Sequence, residues 1–181
     1  MINKALLSTT TIEGIFNNIV VEKQEVGNIS IYRNELNNYV ELYDQSLHPN
    51  GIIMIDASNF IKLYLKNIIE LNFNSVLFAG LGIGAFPYLS QDNTSIVDVV
   101  EINNDIITMC NNMGHLKPNV NIINADIFTY TTDKKYDLIV FDIWNEKGLD
   151  FLQKTQELTT SFTNNLTENG EIHFPLLDFV N

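Results

Sequence analysis

A glycine-rich loop followed at a fixed interval by an acidic residue is the first feature of the chain that could do chemistry. The apolar segment 75–79 runs directly into Gly80-Leu81-Gly82-Ile83-Gly84. Glycines allow a tight turn there and let a ligand approach the backbone closely. The next apolar segment ends in Glu101, twenty-one residues after Gly80. Because a carboxylate at this interval can accept hydrogen bonds from both hydroxyls of a ribose, the spacing predicts a nucleoside site.

Two more carboxylates end apolar segments further along the chain. Asp126 follows the third such segment and Asp142 follows the fourth. Ligands in open α/β sheets lie across the carboxyl ends of the strands, so we expect Glu101, Asp126 and Asp142 to face one ligand. Asp126 also suits the N-cap of a short helical turn, and Asp142 could simply begin a loop. Trp144, the only tryptophan, could either wall this pocket or fill the core.

The elements that must position these residues alternate between strand and helix. A helix is predicted over 103–113, where Gly114 would end it, and another over 151–166. Repeated β-α-β units require right-handed crossovers, which predicts a Rossmann-like, doubly wound parallel sheet. The five predicted strands are 75–79, 96–102, 119–123, 136–142 and 170–174.

The N-terminal part of the chain follows a different pattern. Alternating apolar and polar residues predict strands over 27–33 and 38–43, and a third strand is predicted over 52–55. A helix capped by Asp56 or Ser58 should follow, over about 59–71. We therefore expect a small antiparallel β segment over 1–56 and a Rossmann-like domain over 57–181.

The composition excludes several classes of partner. The 181 residues include 10 Lys+Arg and 22 Asp+Glu, which gives a net charge of −12. Phosphate neutralisation needs clustered basic residues, so neither nucleic acid nor an anionic membrane is expected as a partner. The single cysteine, Cys110, rules out a disulfide framework within the chain, and we expect a cytoplasmic protein with Cys110 in the core. His48, His115 and His173 are too far apart to predict a metal site, and we expect each to be a surface or partly buried histidine.

These residues together carry a resemblance to a known family. The segment from Val76 to Trp144 resembles the class I S-adenosylmethionine-dependent methyltransferase superfamily, and most closely its spermidine synthase branch. That branch has an apolar strand entering a glycine-rich loop, then a ribose-binding Glu, then an Asp that contacts the adenine amino group, then a strand ending in a catalytic Asp. The matching residues here are Gly80, Gly82, Gly84, Glu101, Asp126 and Asp142.

The resemblance implies a donor and a set of roles. The donor would be S-adenosylmethionine or its decarboxylated form, held by the loop glycines, Glu101 and Asp126. Ile102 and Ile127, the next residues along the chain, are included as donor-binding positions. Asp142 would contact the donor and serve as the catalytic residue toward a small-molecule acceptor.

Two departures separate the chain from the spermidine synthase branch. Ile83 stands where that branch carries an Asp in the loop, and Ile143-Trp144-Asn145-Glu146 replaces a Ser/Thr-rich stretch with a second Asp. A polyamine acceptor needs several carboxylates for its ammonium groups, so these departures favour methyl transfer.

The last predicted strand is followed by residues 175–181 only. Compared with the full methyltransferase sheet, the resemblance therefore implies a C-terminally shortened sheet of five strands in the order 3-2-1-4-5, with an exposed edge. Because exposed edges are usually covered, often by another subunit, a homodimer is a hypothesis.

Four functions remain open at the level of sequence. The first is a small S-adenosylmethionine-dependent transferase, in particular a methyltransferase, and the second is an aminopropyltransferase. The third is a protein that binds the donor without transferring a group, or that cleaves the donor as a lyase or hydrolase. The fourth is a nicotinamide-dependent oxidoreductase, because Gly80-Leu81-Gly82-Ile83-Gly84-Ala85 fits the dinucleotide pattern, although the chain is too short for a second mononucleotide half.

Overall fold

A computed structural model of the chain contains two β-sheets. It describes residues 16, 22–36, 39–46, 51–56, 61, 72–144 and 148–178. The first sheet has four antiparallel strands in the order β1-β2-β3-β4, and the second has five parallel strands in the order β7-β6-β5-β8-β9. The strands are β1 Gln24–Val26, β2 Ile29–Asn34, β3 Tyr39–Asp44, β4 Ile52–Ile55, β5 Ser75–Ala79, β6 Ile96–Glu101, β7 Val120–Asn124, β8 Tyr136–Phe141 and β9 Leu166–His173.

The order of the parallel sheet confirms the predicted 3-2-1-4-5 arrangement. The central strand β5 is buried at every position, as expected for a strand covered on both faces. Its alternate side chains enter two different clusters: Val76 and Phe78 join the core on one face, whereas Leu77 and Ala79 join the core on the other.

Helices cover both faces of this sheet. α1 (Ala85–Ser90) and α2 (Asn104–Met113) contribute to the first core cluster, and α3 (Phe151–Phe162) contributes to the second. A short α4 spans Pro175–Asp178. As predicted, Gly114 ends α2. It adopts the left-handed conformation at φ +62°, and its N–H donates hydrogen bonds to the Cys110 and Asn111 carbonyls in the last turn of the helix.

The antiparallel sheet packs on the same face as α1 and α2. Ile29, Ile31 and Leu42 belong to the cluster that also holds Val76 and Phe78. The two sheets therefore share one hydrophobic core, and the domain boundary expected near residue 56 remains a prediction.

Several predicted boundaries are wrong. The segment predicted as one strand over 27–33 contains a turn, because Gly27 has φ +56° and connects β1 to β2. The helix predicted over 151–166 is α3, and it ends earlier, at Phe162. A 3-10 turn over Thr163–Asn165 follows it and leads into β9, which begins at Leu166. Thr159 and Thr163 bond their hydroxyls to carbonyls four residues earlier, a pattern that weakens helices.

The cap predicted at Asp56 stays a prediction, because residues 57–60 lie outside the described part of the chain. The two carboxylate oxygens of Asp56 accept hydrogen bonds from the Phe16 and Val40 amides, both at 2.7 Å, and so join Phe16 to β3. Ser58 and the predicted helix over 59–71 lie outside the described residues, except that Ile61 is helical. Within the described part of the chain, no helix is long and apolar enough to cross a membrane.

Candidate functional site

The glycine loop lies at the carboxyl end of β5 and touches the end of β8. The Gly80 N–H donates to the Val100 carbonyl at 2.9 Å, which ties the start of the loop to β6. Gly80 has φ +92°, and a Cβ on it would lie 2.3 Å from the Asp142 carbonyl oxygen. Only glycine fits between the loop and the end of β8, so this position brings the loop and Asp142 together.

Glu101 ends β6 beneath the same loop. Its Oε2 accepts from the Leu81 N–H at 2.9 Å and its Oε1 accepts from the Asn103 N–H at 2.8 Å, while only 7% of the residue is exposed. The carboxylate is thus fixed in place by two backbone amides. The following residue, Ile102, is 66% exposed and presents an apolar surface beside it.

Asp126 begins the connection after β7 and lies next to this group. The Ala125 N–H donates to the Glu101 carbonyl at 3.1 Å, which joins the two strand ends. Asp126 Oδ1 accepts from the Phe128 N–H at 3.0 Å and its carbonyl accepts from the Thr129 N–H, so the residue caps the turn that follows, as predicted. Its half-buried Oδ2 has no hydrogen bond from a described residue, and Ile127 beside it is buried.

Asp142 follows β8, and its N–H donates to the Ala79 carbonyl at 2.8 Å. Its carboxylate accepts no hydrogen bond from any residue that the structure describes, and desolvation raises its pKa to about 7. A carboxyl group with such a pKa can exchange a proton near neutral pH, as a general acid or base must.

Trp144 packs into the second core cluster. Its ring lies edge-on to Phe151 with the centroids 5.0 Å apart, and 6.2 Å from the Phe174 ring. Trp144 therefore packs against the core as a partly buried residue. A role as a pocket wall remains a prediction.

Three residues contact the loop in a way that the sequence did not indicate. A Cβ on Gly82 would lie 2.6 Å from the Met54 sulfur, so β4 of the antiparallel sheet lies against the loop. Cys110 and His115 contact two carbonyls of the loop, and Cys110 is in the core as predicted. The prediction that His115 and His173 are surface or partly buried residues is wrong, because only 9% and 8% of them are exposed; His115 packs against the rings of Phe16 and Tyr88. No spacing rule links these residues to the loop, since the contacts are tertiary.

No metal cluster occurs among the residues that the structure describes: no three His, Cys, Asp or Glu side chains there are grouped so that they could hold an ion. The carboxyl edge instead combines a close-approach glycine loop, a fixed buried carboxylate and two carboxylates that lack a full set of partners among the described residues. That this edge binds a small molecule remains a prediction.

Comparison with known proteins identifies the fold as that of S-adenosylmethionine-dependent methyltransferases. No protein-family model matches the chain, and no curated protein matches it either. Among solved structures, it is similar to phosphoethanolamine N-methyltransferase 1 of Haemonchus contortus in complex with phosphoethanolamine and S-adenosylhomocysteine. The TM-score is 0.54 at 20% identity, covering 64% of this chain and 24% of that one.

Two further structures have the same fold. The complex of DhpI with SAM and HEP gives a TM-score of 0.52 at 18% identity, covering 64% of this chain and 53% of that chain. Ribosomal protein L11 methylase of Lactobacillus delbrueckii subsp. bulgaricus gives 0.50 at 17% identity, with 65% and 57% covered. The match thus spans between about a quarter and a little over half of these proteins. None of the three is a spermidine synthase, so the closer resemblance to that branch is not supported.

Proposed function

We propose that this protein is an S-adenosylmethionine-dependent methyltransferase that acts on a small molecule. The observation that carries the proposal is the joining of three parts at one edge of a methyltransferase-type sheet. The loop at Gly80 abuts Asp142, Glu101 bonds the loop at Leu81, and Asp126 begins next to Glu101.

The residues at this edge fit an adenosyl donor. Each oxygen of Glu101 accepts one amide hydrogen bond. A carboxylate oxygen has a second lone pair, so both oxygens can still accept from ribose hydroxyls. The free Oδ2 of Asp126 suits an amino group on adenine, and the exposed Ile102 and the buried Ile127 offer apolar contact to its ring. The loop at Gly80, Gly82 and Gly84 completes the donor site.

The donor supplies a methyl group made electrophilic by its sulfonium, and the chain's own residues position the reactants. Asp142 is the residue we assign to the acceptor: its carboxylate would orient the nucleophile and accept its proton. An acidic environment also favours a cationic sulfonium over a neutral ligand. Ile83 is fully buried and offers no carboxylate to the donor, which supports methyl transfer over aminopropyl transfer.

A thermal-shift panel followed by a turnover assay tests the proposal. The panel contains S-adenosylmethionine, S-adenosylhomocysteine, decarboxylated S-adenosylmethionine, methylthioadenosine and NAD. We expect stabilisation by the first two, and production of S-adenosylhomocysteine in the presence of small amine and hydroxyl acceptors. Stronger binding of the decarboxylated donor would indicate an aminopropyltransferase, and binding without any product would indicate a donor-binding protein. No binding of either adenosyl ligand at millimolar concentration would refute the proposal.

Homodimerisation and a cytoplasmic location are further parts of this proposal. Within the described residues, β9 pairs with β8 on one side only, which leaves an edge that a second copy could cover. A monomer mass in sedimentation at micromolar concentration would remove the dimer. The buried thiol of Cys110 is compatible with a reducing compartment, and cell fractionation tests the location.

A further inference from the structure

Three consecutive residues of the glycine loop are held by side chains from one segment, residues 101–115. The Leu81 N–H donates to Glu101, as described above. The next carbonyl, that of Gly82, accepts from the Cys110 thiol at 3.2 Å. The one after it, that of Ile83, lies 3.0 Å from His115 Nε2. Because a carbonyl can only accept, Nε2 carries the proton in this contact.

Both hydrogen-bond donors, the Cys110 thiol and the His115 imidazole, are buried, unlike the groups in ordinary surface contacts. Cys110 is 2% exposed on α2, and the His115 ring packs against the rings of Phe16 and Tyr88, with centroids 5.0 and 5.8 Å away. The other ring nitrogen of His115, Nδ1, is buried and has no hydrogen-bond partner among the described residues. Within that part of the chain, the hydrogen bond of the imidazole is the one to the loop.

The same surroundings keep both groups in their neutral, proton-donating forms. Burial lowers the pKa of His115 to about 4, because a second proton would sit on Nδ1 with no acceptor. Burial, together with the nearby Glu101 charge, raises the pKa of the Cys110 thiol to about 12. Between these values, neither hydrogen bond changes with pH.

The contact between the loop and His115 leaves the loop little room to move toward the imidazole. A Cβ on Gly84 would lie 2.8 Å from His115 Nε2, so the backbone rests directly on the imidazole. Met54 of β4 also rests on the loop, at Gly82. The loop thus packs against both β4 and the segment 101–115, and the latter bonds its carbonyls.

We propose that Cys110 and His115 are positioning residues for the donor. The thiol and the imidazole fix the Gly82 and Ile83 carbonyls, and thereby keep the Leu81 N–H on Glu101 in the conformation that accepts the nucleoside. This inference rests on the proposed function of the loop as a donor site. If either bond is lost, the binding-competent loop becomes a smaller fraction of the population, and affinity falls by that fraction.

The test uses paired substitutions at each position. Cys110→Ala and His115→Leu remove the hydrogen-bond donor to the loop, whereas Cys110→Ser and His115→Gln keep an O–H or N–H in its place. Leu158→Ala is the control, because Leu158 is buried on α3 in the cluster on the other face of the sheet. It destabilises the fold without removing a loop contact.

Calorimetry with S-adenosylhomocysteine, amide hydrogen exchange of residues 81–84 and urea unfolding are measured on every variant. Cys110→Ala and His115→Leu should each raise the Kd for S-adenosylhomocysteine about 2- to 10-fold, as the loss of one neutral hydrogen bond implies. Both should also speed hydrogen exchange of the Leu81 and Gly84 amides. The conservative variants should restore most of both effects. Leu158→Ala should unfold at lower urea with an unchanged Kd.

Two different failures can be told apart. If Cys110→Ala and His115→Leu bind S-adenosylhomocysteine as the unmodified protein does, and their loop amides exchange at its rate, the positioning role is refuted. If the unmodified protein does not bind S-adenosylhomocysteine, the proposed function fails and the donor role fails with it. The exchange rates of Leu81 and Gly84 then still decide whether the two side chains hold the loop.

Discussion

Replacing Gly80 by alanine should damage the site and the fold together. The new Cβ would lie 2.3 Å from the Asp142 carbonyl oxygen, at a residue with φ +92°. Forcing a side chain into that sparsely populated backbone region costs about 1–3 kcal/mol. Displacing the close-packed backbone oxygen costs about 1–3 kcal/mol more. We therefore expect Gly80→Ala to lower the free energy of unfolding by about 2–6 kcal/mol.

Gly114→Ala is the matched control for this substitution. Gly114 also has a positive φ, +62°, but a Cβ there meets nothing within 4 Å. Its substitution should cost only the left-handed backbone strain, about 1–2 kcal/mol. The difference in unfolding free energy between Gly80→Ala and Gly114→Ala therefore measures mainly the steric clash between the loop and the end of β8, because both variants carry the strain of a positive φ.

Urea unfolding monitored through Trp144 fluorescence gives both free energies, and calorimetry with S-adenosylhomocysteine gives the effect on the site. Because relief of the clash must move either the loop or Asp142, Gly80→Ala should also weaken ligand binding, whereas Gly114→Ala should not. Equal destabilisation of the two variants, together with unchanged ligand binding by Gly80→Ala, would refute the reasoning.

Three further substitutions test the assigned roles. Glu101→Gln should weaken binding of S-adenosylhomocysteine by roughly 10- to 150-fold in calorimetry, because hydrogen bonds to a charged group are worth about 1.5–3 kcal/mol; Glu168→Gln on the exposed part of β9 is the control. Asp142→Asn should keep ligand binding and lose about 10²–10⁴ in turnover. In the unmodified protein the rate should rise with pH through about 7 as Asp142 ionises, and a variant with the same rise would contradict its role as the base. Asp56→Asn should destabilise the fold by about 1–3 kcal/mol in urea, since an amide has one acceptor oxygen for the two buried amides of Phe16 and Val40; an unchanged midpoint would contradict this.

Where the strands lie followed from local pattern. β5 and β4 have the predicted bounds because a continuous apolar run and a short bounded run leave few alternatives. Boundaries failed where turn chemistry decides them. Gly27 separates β1 from β2 through its backbone conformation, which alternation of apolar and polar residues does not reveal. The end of α3 also depends on local hydrogen bonds, because the hydroxyls of Thr159 and Thr163 donate to carbonyls of the preceding turn.

The sequence by itself determined the parallel sheet and the placement of Glu101, Asp126 and Asp142 at strand ends, whereas the strand order came from the family resemblance. The sheet and the strand ends depend on period and on chain order, which are local properties, and on the fixed hand of the crossover. The tertiary structure alone decided what surrounds the glycine loop. Met54 arrives from the other sheet, and Cys110 and His115 arrive from α2 and the segment after it. These contacts join residues that are distant along the chain, so they appear only when the antiparallel sheet and α2 pack into one core on the same face of the parallel sheet.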